Sequence, residues 1–471
     1  MKLLGFHVSD HDANVSYFDG DKVRYHKLER SLQIKHYGTT TGSEFLSVLK
    51  NWNVDLDKID DVAVVIDNEY TDAFKQTLGR SFERIDHHYA HSLSVWPVTD
   101  NTVDVSFVFD GDGDHDRSFS IYEGANLVHS MTNEQSSSFG SLLELVAVGC
   151  GIEGHELDLA GKAMGLKSYG TADLDLLKVN QSLTLEQIDE IAEQFQGSPL
   201  DLLATLHKFA ETKFPEYFVE RSAPWSTISF TGGVSQNSVI NGCLSKVYKD
   251  IIIPPHGSDE GLSLGCLEFL RRKHNLDPFD TTGFPYWQDD QAPTTEIDLE
   301  TLDRVARLLA DGKIVAWYQG HGEIGPRALG NRSILMDPRI VDGKDRLNQK
   351  VKQRENFRPF GCSVLEELAD QYFDIVEPSP YMLHVANTKT NDFPAVTHVD
   401  GTTRIHTVSE TVPLYRALLE SFYQLTGCPA LLNTSLNVNG RPIAGYISDA
   451  MELFNNSDID AVCIGGELFV K

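Results

Sequence analysis

Three apolar runs, each followed by a turn that holds Gly or Asp, constrain the fold of this chain more than any other feature. Residues 2–8 read as a buried strand, and residues 13–18, ahead of Asp19-Gly20, read as its hairpin partner. The pattern recurs at residues 103–109, which end in Asp110-Gly111 and are followed by a return strand over 118–122. A third run, 227–230, ends in Thr231-Gly232-Gly233 and opens a helix. Strand, turn and return strand, given twice, predict a split nucleotide-binding α/β fold with a cleft between its halves. Residues 174–221 have a polar helical pattern and are expected to form a cap or insert. A turn-rich stretch, 277–293, carries Pro278, Gly283, Pro285 and Pro293 and is expected to be an inter-domain linker. Beyond it, 298–310 predicts an amphipathic helix and 314–318 a buried strand.

A length of 471 residues predicts two or three domains. The 69 acidic against 40 basic residues give a net charge of -29, which repels phosphate backbones and disfavours general nucleic-acid binding. A local basic groove stays open, and the acidity itself is accounted for by solubility or salt adaptation. No run reaches the roughly 18 apolar residues of a membrane helix, and the N-terminus meets charge too early for a signal-peptide core. A cytoplasmic protein without membrane partners is expected. The six cysteines form no CxxC pair and are expected to be buried free thiols.

Four constellations carry chemistry. His87 and His91 in DHHYAHS stand four apart, so on a helix both imidazoles share a face and can share a cation. Asp110 and Asp259 could complete a mixed shell suited to iron, manganese or zinc, although spacing alone does not make the four converge. His11 in SDHD is either a general base beside a carboxylate or an exposed turn histidine. Gly232, Gly233 and Asn237 in TGGVSQN would let a nucleotide approach a helix N-terminus. The densest signal is GPRALGNRS with KQRENFRPF, which puts Arg327, Arg332, Lys352, Arg354 and Arg358 among Gly and Pro in an acidic protein. Arg forks on rigid turns hold phosphates and carboxyl-like anions; the alternative is a surface salt-bridge network.

The segments HDAN, DHHYAHS, FDGDGD, AGKAMGL, FTGGVSQN, PHGSDEG, GPRALGNRS, KQRENFRPF, AVTHVDGTTR and LLNTSLNVNGRPI, in this order, resemble the O-carbamoyltransferases of antibiotic and nodulation-factor biosynthesis. The resemblance implies an actin/hexokinase-superfamily, TsaD-like domain over 1–280 and a YrdC-like α/β domain over 281–471. It implies that carbamoyl phosphate and ATP, with Mg, give carbamoyl-adenylate in the second domain. The first domain then passes the carbamoyl group to a small-molecule alcohol, with a homodimer as the candidate assembly. The family signature KxR…SxN falls on Lys352, Arg354, Ser435 and Asn437, and Arg327, Asn331, Arg332 and Arg358 join that anion site. The metal ligands, with Fe(II), Mn or Zn, fall on His87, His91, Asp110 and Asp259, and the acceptor's base falls on His11.

Ile324 and Leu436 stand where the family often has aromatic residues, and 174–221 is shorter than in the antibiotic enzymes, which leaves the acceptor open. Four rival readings fit less well, and a non-catalytic binding module fits least, because too many polar motifs remain intact. A fused tRNA-modifying threonylcarbamoyl enzyme conflicts with the charge and with GPRALGNRS. A hydrogenase-maturation enzyme would carry CxxC motifs. A plain sugar kinase would leave the Arg-rich half unused.

Overall fold

The computed structural model describes residues 1–99 and 102–471. Contacts divide the chain into two units, Met1–Asp289 and Asp290–Lys471, nine residues beyond the boundary expected at 280. The predicted linker is not a free tether. Gln288 is 1% exposed, forms a bridge with Tyr25 and accepts the Lys27 N–H through its side chain at 3.1 Å. Asp289 takes the indole N–H of Trp52. In the second unit, Asp290 accepts from Arg332 at 2.9 Å and from the Gly322 N–H at 3.0 Å. Proline spacing advertised a break, but the polar side chains between the prolines anchor each side in its own unit.

The first unit holds two sheets with one plan. Strands β1 (Leu3–Val8), β2 (Asn14–Phe18), β3 (Val23–Lys27), β4 (Asp61–Ile66) and β5 (Glu83–Arg84) lie in the order β3-β2-β1-β4-β5. Strands β6 (Val105–Phe109), β7 (Arg117–Glu123), β8 (Asn126–Thr132) and β9 (Ile228–Thr231) lie in the order β8-β7-β6-β9. In both, a meander runs antiparallel on one side of the first strand and a parallel strand flanks the other. This repeat meets the expectation of strand, turn and return strand given twice. Both faces of β1 and β6 are covered, which is why LLGFHV and VSFVF read as continuous rather than alternating apolar runs.

Residues 174–221 depart from the expected polar cap. The helix Pro199–Arg221 buries Leu203, Leu206, Phe209, Phe214 and Phe218. Phe218 stacks on Phe107 with ring centroids 3.8 Å apart, so this helix is core cover for the second sheet. Four of the cysteines are buried as expected, while Cys150 and Cys243 are half-buried; no disulfide occurs among the described residues. Among those residues no helix is long and apolar enough to cross a membrane.

The second unit is built on one eight-stranded sheet. Its strands are β10 (Val315–Tyr318), β11 (Arg332–Met336), β12 (Gly361–Leu365), β13 (His384–Asn387), β14 (Thr402–Val408), β15 (Ala430–Ser435), β16 (Ala461–Ile464) and β17 (Glu467–Val470). They lie in the order β13-β14-β12-β15-β11-β10-β16-β17, with β12/β14 and β10/β16 parallel. The helix Leu299–Ala310, capped by Asp298 at the Thr301 N–H, buries Leu302, Val305, Ala306 and Leu309 in this unit's core.

Candidate active sites

The chemistry of the first unit gathers at the carboxyl ends of β1, β6 and β9, where open α/β sheets bind ligands. His87 and His91 lie on the helix His87–Leu93, whose first turn is capped by Asp86 at the Tyr89 N–H. Arg117 and Tyr122 hold Asp86 in place at 2.7 and 3.0 Å. That helix crosses the helix Leu262–Lys273 so closely that a Cβ at Gly265 would stand 2.1 Å from the Ala90 carbonyl oxygen. Only glycine permits the crossing, and it brings His91 to Asp259.

The four expected ligands converge. His91 Nε2 is 2.8 Å from Asp110 Oδ2, 3.2 Å from Asp259 Oδ1 and 3.2 Å from His87 Nε2. His87 Nε2 lies 3.4 Å from Asp110 and 3.5 Å from Asp259. Ligand atoms at bonds of about 2.1 Å stand roughly 3–3.4 Å apart around a tetrahedral or octahedral ion, so the group fits a divalent cation. Burial alone would raise both carboxylates, yet the facing imidazoles hold them below the usual range. Asp259 and Asp110 in turn outweigh burial at His87 and raise it.

His11 sits beside this group, with Nδ1 3.3 Å from Asp12 Oδ2 and 3.7 Å from Asp259 Oδ2. Burial acts to lower it, but those carboxylates prevail and raise it to about 9. Asp12 is itself braced. Lys27, 3% exposed, bonds Asp12 Oδ1 and Glu260 Oε1 at 2.7 Å each, and His36 Nδ1 meets Asp12 Oδ1 at 3.2 Å. Asp12, Glu29 and His36 also have ligand-like spacing, but the Lys27 ammonium already supplies the cation there. Sequence reasoning missed Lys27 and His7. His7 is 1% exposed, lies 3.7 Å from Asp259 and is pushed down to about 4, chiefly by burial. Inside LLGFHV it carried no signal.

The glycine turn serves the protein itself. Gly232, at φ 85°, donates to the Gly257 carbonyl at 2.7 Å, and the Gly233 N–H donates to Asp110 Oδ1 at 3.2 Å. Asn237 caps Ser238–Leu244, accepting from Val239 and Ile240 at 3.1 and 3.3 Å. The turn thus orients the Asp110 carboxylate.

In the second unit, Lys352 Nζ donates to the Ser435 carbonyl at 2.7 Å, Ser435 Oγ at 3.3 Å, the Asn437 carbonyl at 2.8 Å and Asn437 Oδ1 at 2.5 Å. Arg354 donates to Asn348 Oδ1 at 2.7 Å and to the Pro359 carbonyl at 3.1 Å, and lies over the Phe360 ring. Arg358 reaches Asn439 at 3.4 Å. Arg404, missed from the sequence, joins them: burial and the charges of Arg327, Arg354 and Arg358 hold it well below the usual arginine range. Burial, then Arg358, does the same to Arg354. Guanidiniums crowded in this way are relieved by a multiply charged anion.

One expectation for the anion site needs correction. Arg332 is 0% exposed, and its guanidinium is spent on Gln319, Gly320, Asp290 and Gln291 at 2.5 to 3.2 Å while stacked on Tyr318. It braces the fold. Asn331 donates its amide to the His321 carbonyl at 2.8 Å. The loop is nonetheless an anion nest, and its anion is the protein's own. Buried Glu323 Oε1 accepts the N–H groups of Leu329, Asn331 and Arg332 at 2.7, 2.8 and 3.2 Å. This nest sets the loop from which Arg327 projects.

Comparison with known proteins bears on both units. Residues 306–471 match the family model "Carbamoyltransferase C-terminus". The nodulation protein NolO of Bradyrhizobium diazoefficiens is 32% identical over 437 residues, covering 82% of this chain and 79% of NolO. This chain belongs to the carbamoyltransferase family. This chain is also 32% identical to the nodulation protein NolNO of Sinorhizobium fredii over 436 residues, spanning 64% of that longer protein. An uncharacterized protein of Methanocaldococcus jannaschii is 27% identical, covering 84% of this chain and 85% of its own. Among solved structures, HypF of T. kodakarensis matches 59% of this chain and 48% of its own at TM-score 0.43 and 14% identity.

Proposed function

We propose that the protein is an ATP-dependent O-carbamoyltransferase with two chemistries in two units. The observation that carries this is Lys352 bonded to Ser435 and Asn437 beside the guanidiniums of Arg327, Arg354, Arg358 and Arg404. In the second unit, YrdC-like on this proposal, carbamoyl phosphate and water give carbamate and phosphate. A carbamate oxygen then attacks the α-phosphorus of Mg-bound ATP, the bond to the β-phosphate bridge breaks, and pyrophosphate leaves. Arg354 and Lys352 hold the phosphates and the carbamoyl oxygens, where fixed cations stabilise developing charge.

In the first unit a hydroxyl oxygen attacks the carbamoyl carbon of carbamoyl-adenylate, giving the O-carbamoyl product and AMP. His11 takes the hydroxyl proton at Nε2 while Asp12 holds Nδ1. A cation at His87, His91, Asp110 and Asp259, with iron(II), manganese and zinc as candidates, would supply Lewis-acid polarisation. Its charge would also offset Asp259 and return His11 toward neutrality, as a base requires. The acceptor is a small-molecule alcohol: a natural product, a sugar, or a nucleoside or nucleotide.

The test is pyrophosphate release from ATP on adding carbamoyl phosphate without any alcohol. Release that depends on carbamoyl phosphate supports the adenylating step. ADP formed with a sugar, and no pyrophosphate, would sink it.

A further inference from the structure

Two buried polar residues tie together turns that lie far apart in the chain. Asn14 on β2 and Lys27 on β3 stand opposite each other in the strand register, so their side chains share one face. They are 0% and 3% exposed. Asn14 Nδ2 donates to the Asp12 carbonyl at 2.7 Å and to the Asp259 carbonyl at 2.9 Å. Asn14 Oδ1 accepts the Ser263 N–H at 3.2 Å. That N–H can only donate, which fixes the amide with oxygen toward it. Ser263 lies in the first turn of the helix Leu262–Lys273, whose Gly265 meets the histidine helix. Lys27 Nζ spans the same gap with its charge, 2.7 Å from both Asp12 Oδ1 and Glu260 Oε1 and 3.4 Å from Glu29 Oε2. Each of the two side chains therefore bonds both the turn that carries His11 and the turn that carries Asp259. Asp12 itself sits at φ 49°, in the left-handed region, which a residue other than glycine keeps where its surroundings over-determine it.

What these bonds hold is the separation of base and ligand, since His11 Nδ1 stands 3.7 Å from Asp259 Oδ2. We propose that Asn14 and Lys27 are positioning residues of the carbamoyl-transfer site. They form a clamp that fixes the His11 turn against the Asp259 turn and so sets the Asp259 carboxylate for its cation. The inference rests on reading His87, His91, Asp110 and Asp259 as a metal site and adds the groups behind it. Partners that orient a metal ligand from behind account for about ten- to a hundredfold in metal affinity. Lys27 makes the sign of the effect diagnostic. As a charge alone, its ammonium repels a divalent cation, so its loss would tighten metal binding. As a clamp, its loss leaves Asp12, Glu29 and Glu260 facing one another without their shared cation, the two turns part, and binding weakens.

The experiment measures the affinity of the intact, metal-stripped protein for zinc(II) by competition with a chromophoric chelator. Lys27→Met, which keeps an unbranched side chain and removes its charge, is expected to weaken zinc binding about ten- to a hundredfold. Unchanged or tighter binding would overturn the clamp. Asn14→Ala leaves every charge in place and is expected to weaken zinc binding over the same range, about ten- to a hundredfold. It is read the same way if Lys27→Met does not fold. The double variant separates a clamp from a general loosening of the fold. If both residues act on one joint, the second substitution adds little to the first. Losses that multiply would mark two independent structural effects and overturn the shared role. A wild type that binds no zinc would overturn the metal reading and the clamp with it. A wild type that binds zinc no more tightly than the variants would overturn the clamp alone.

Discussion

His91 has no exposed surface, and its Nε2 faces two carboxylates and a second imidazole within 3.2 Å. A buried histidine in that company is built to share a cation, and removing it leaves charged carboxylates unpaired. His91→Ala is expected to cut bound divalent metal, counted by plasma mass spectrometry after gel filtration, to a small fraction of the wild-type content. Pyrophosphate release should persist. His11 belongs to the transfer step: His11→Asn should lower carbamoyl transfer about 10²- to 10⁴-fold and leave pyrophosphate release near wild type. Screening alcohols by a mass gain of one carbamoyl group finds the acceptor needed for that measurement. Full transfer by His11→Asn would remove His11 as the base.

At the scale of elements, two devices brace the loops that carry candidate site residues. The Glu323 nest ties three backbone N–H groups of the 323–332 loop to one carboxylate. Glu323→Ala strands buried donors, so a loss of roughly 1–3 kcal/mol in unfolding free energy is expected by urea titration. The KM for ATP should rise as the Arg327 loop loosens. The second device is His36, which joins the 33–38 turn to the helix Glu156–Leu166 through Asp12 and Asp158 at 3.2 and 3.3 Å. Burial lowers it, but the two carboxylates prevail and raise it from 6.5 to about 9. The folded state therefore holds the His36 proton more tightly than the unfolded chain does. That stabilisation is complete below pH 6.5 and is lost as pH rises through 9. His36→Gln should flatten the fall in urea midpoint across this window while leaving the alkaline limit little changed. An unchanged slope would show that His36 carries no proton there.

For the whole molecule, the two units predict two separable half-reactions. Lys352→Ala should reduce carbamoyl-phosphate-dependent pyrophosphate release by about a hundredfold or more, since it removes the cation that Ser435 and Asn437 surround. Stripping the His87/His91 metal with a chelator, then restoring magnesium, should leave that release intact and stop transfer to alcohol. Loss of both activities on stripping would place adenylation on the same metal.

The apolar periods of β1, β6 and β9 and the Gly and Asp turns after them were legible from sequence, because a strand buried on both faces leaves a continuous apolar run. So were the histidines four apart and the Arg block, whose residue types have few other uses. The convergence of Asp110 and Asp259 on those histidines was decided only in three dimensions, by the close crossing at Gly265. Tertiary structure also spent Arg332 on backbone carbonyls, turned the Gly232-Gly233 turn toward Asp110, brought Lys27 to Asp12 and Glu260, and set Arg404 among the other arginines. The physical reason is the same in each case. A side chain's chemistry is fixed by its type, but what it bonds to depends on neighbours that strand register and helix packing bring from far along the chain.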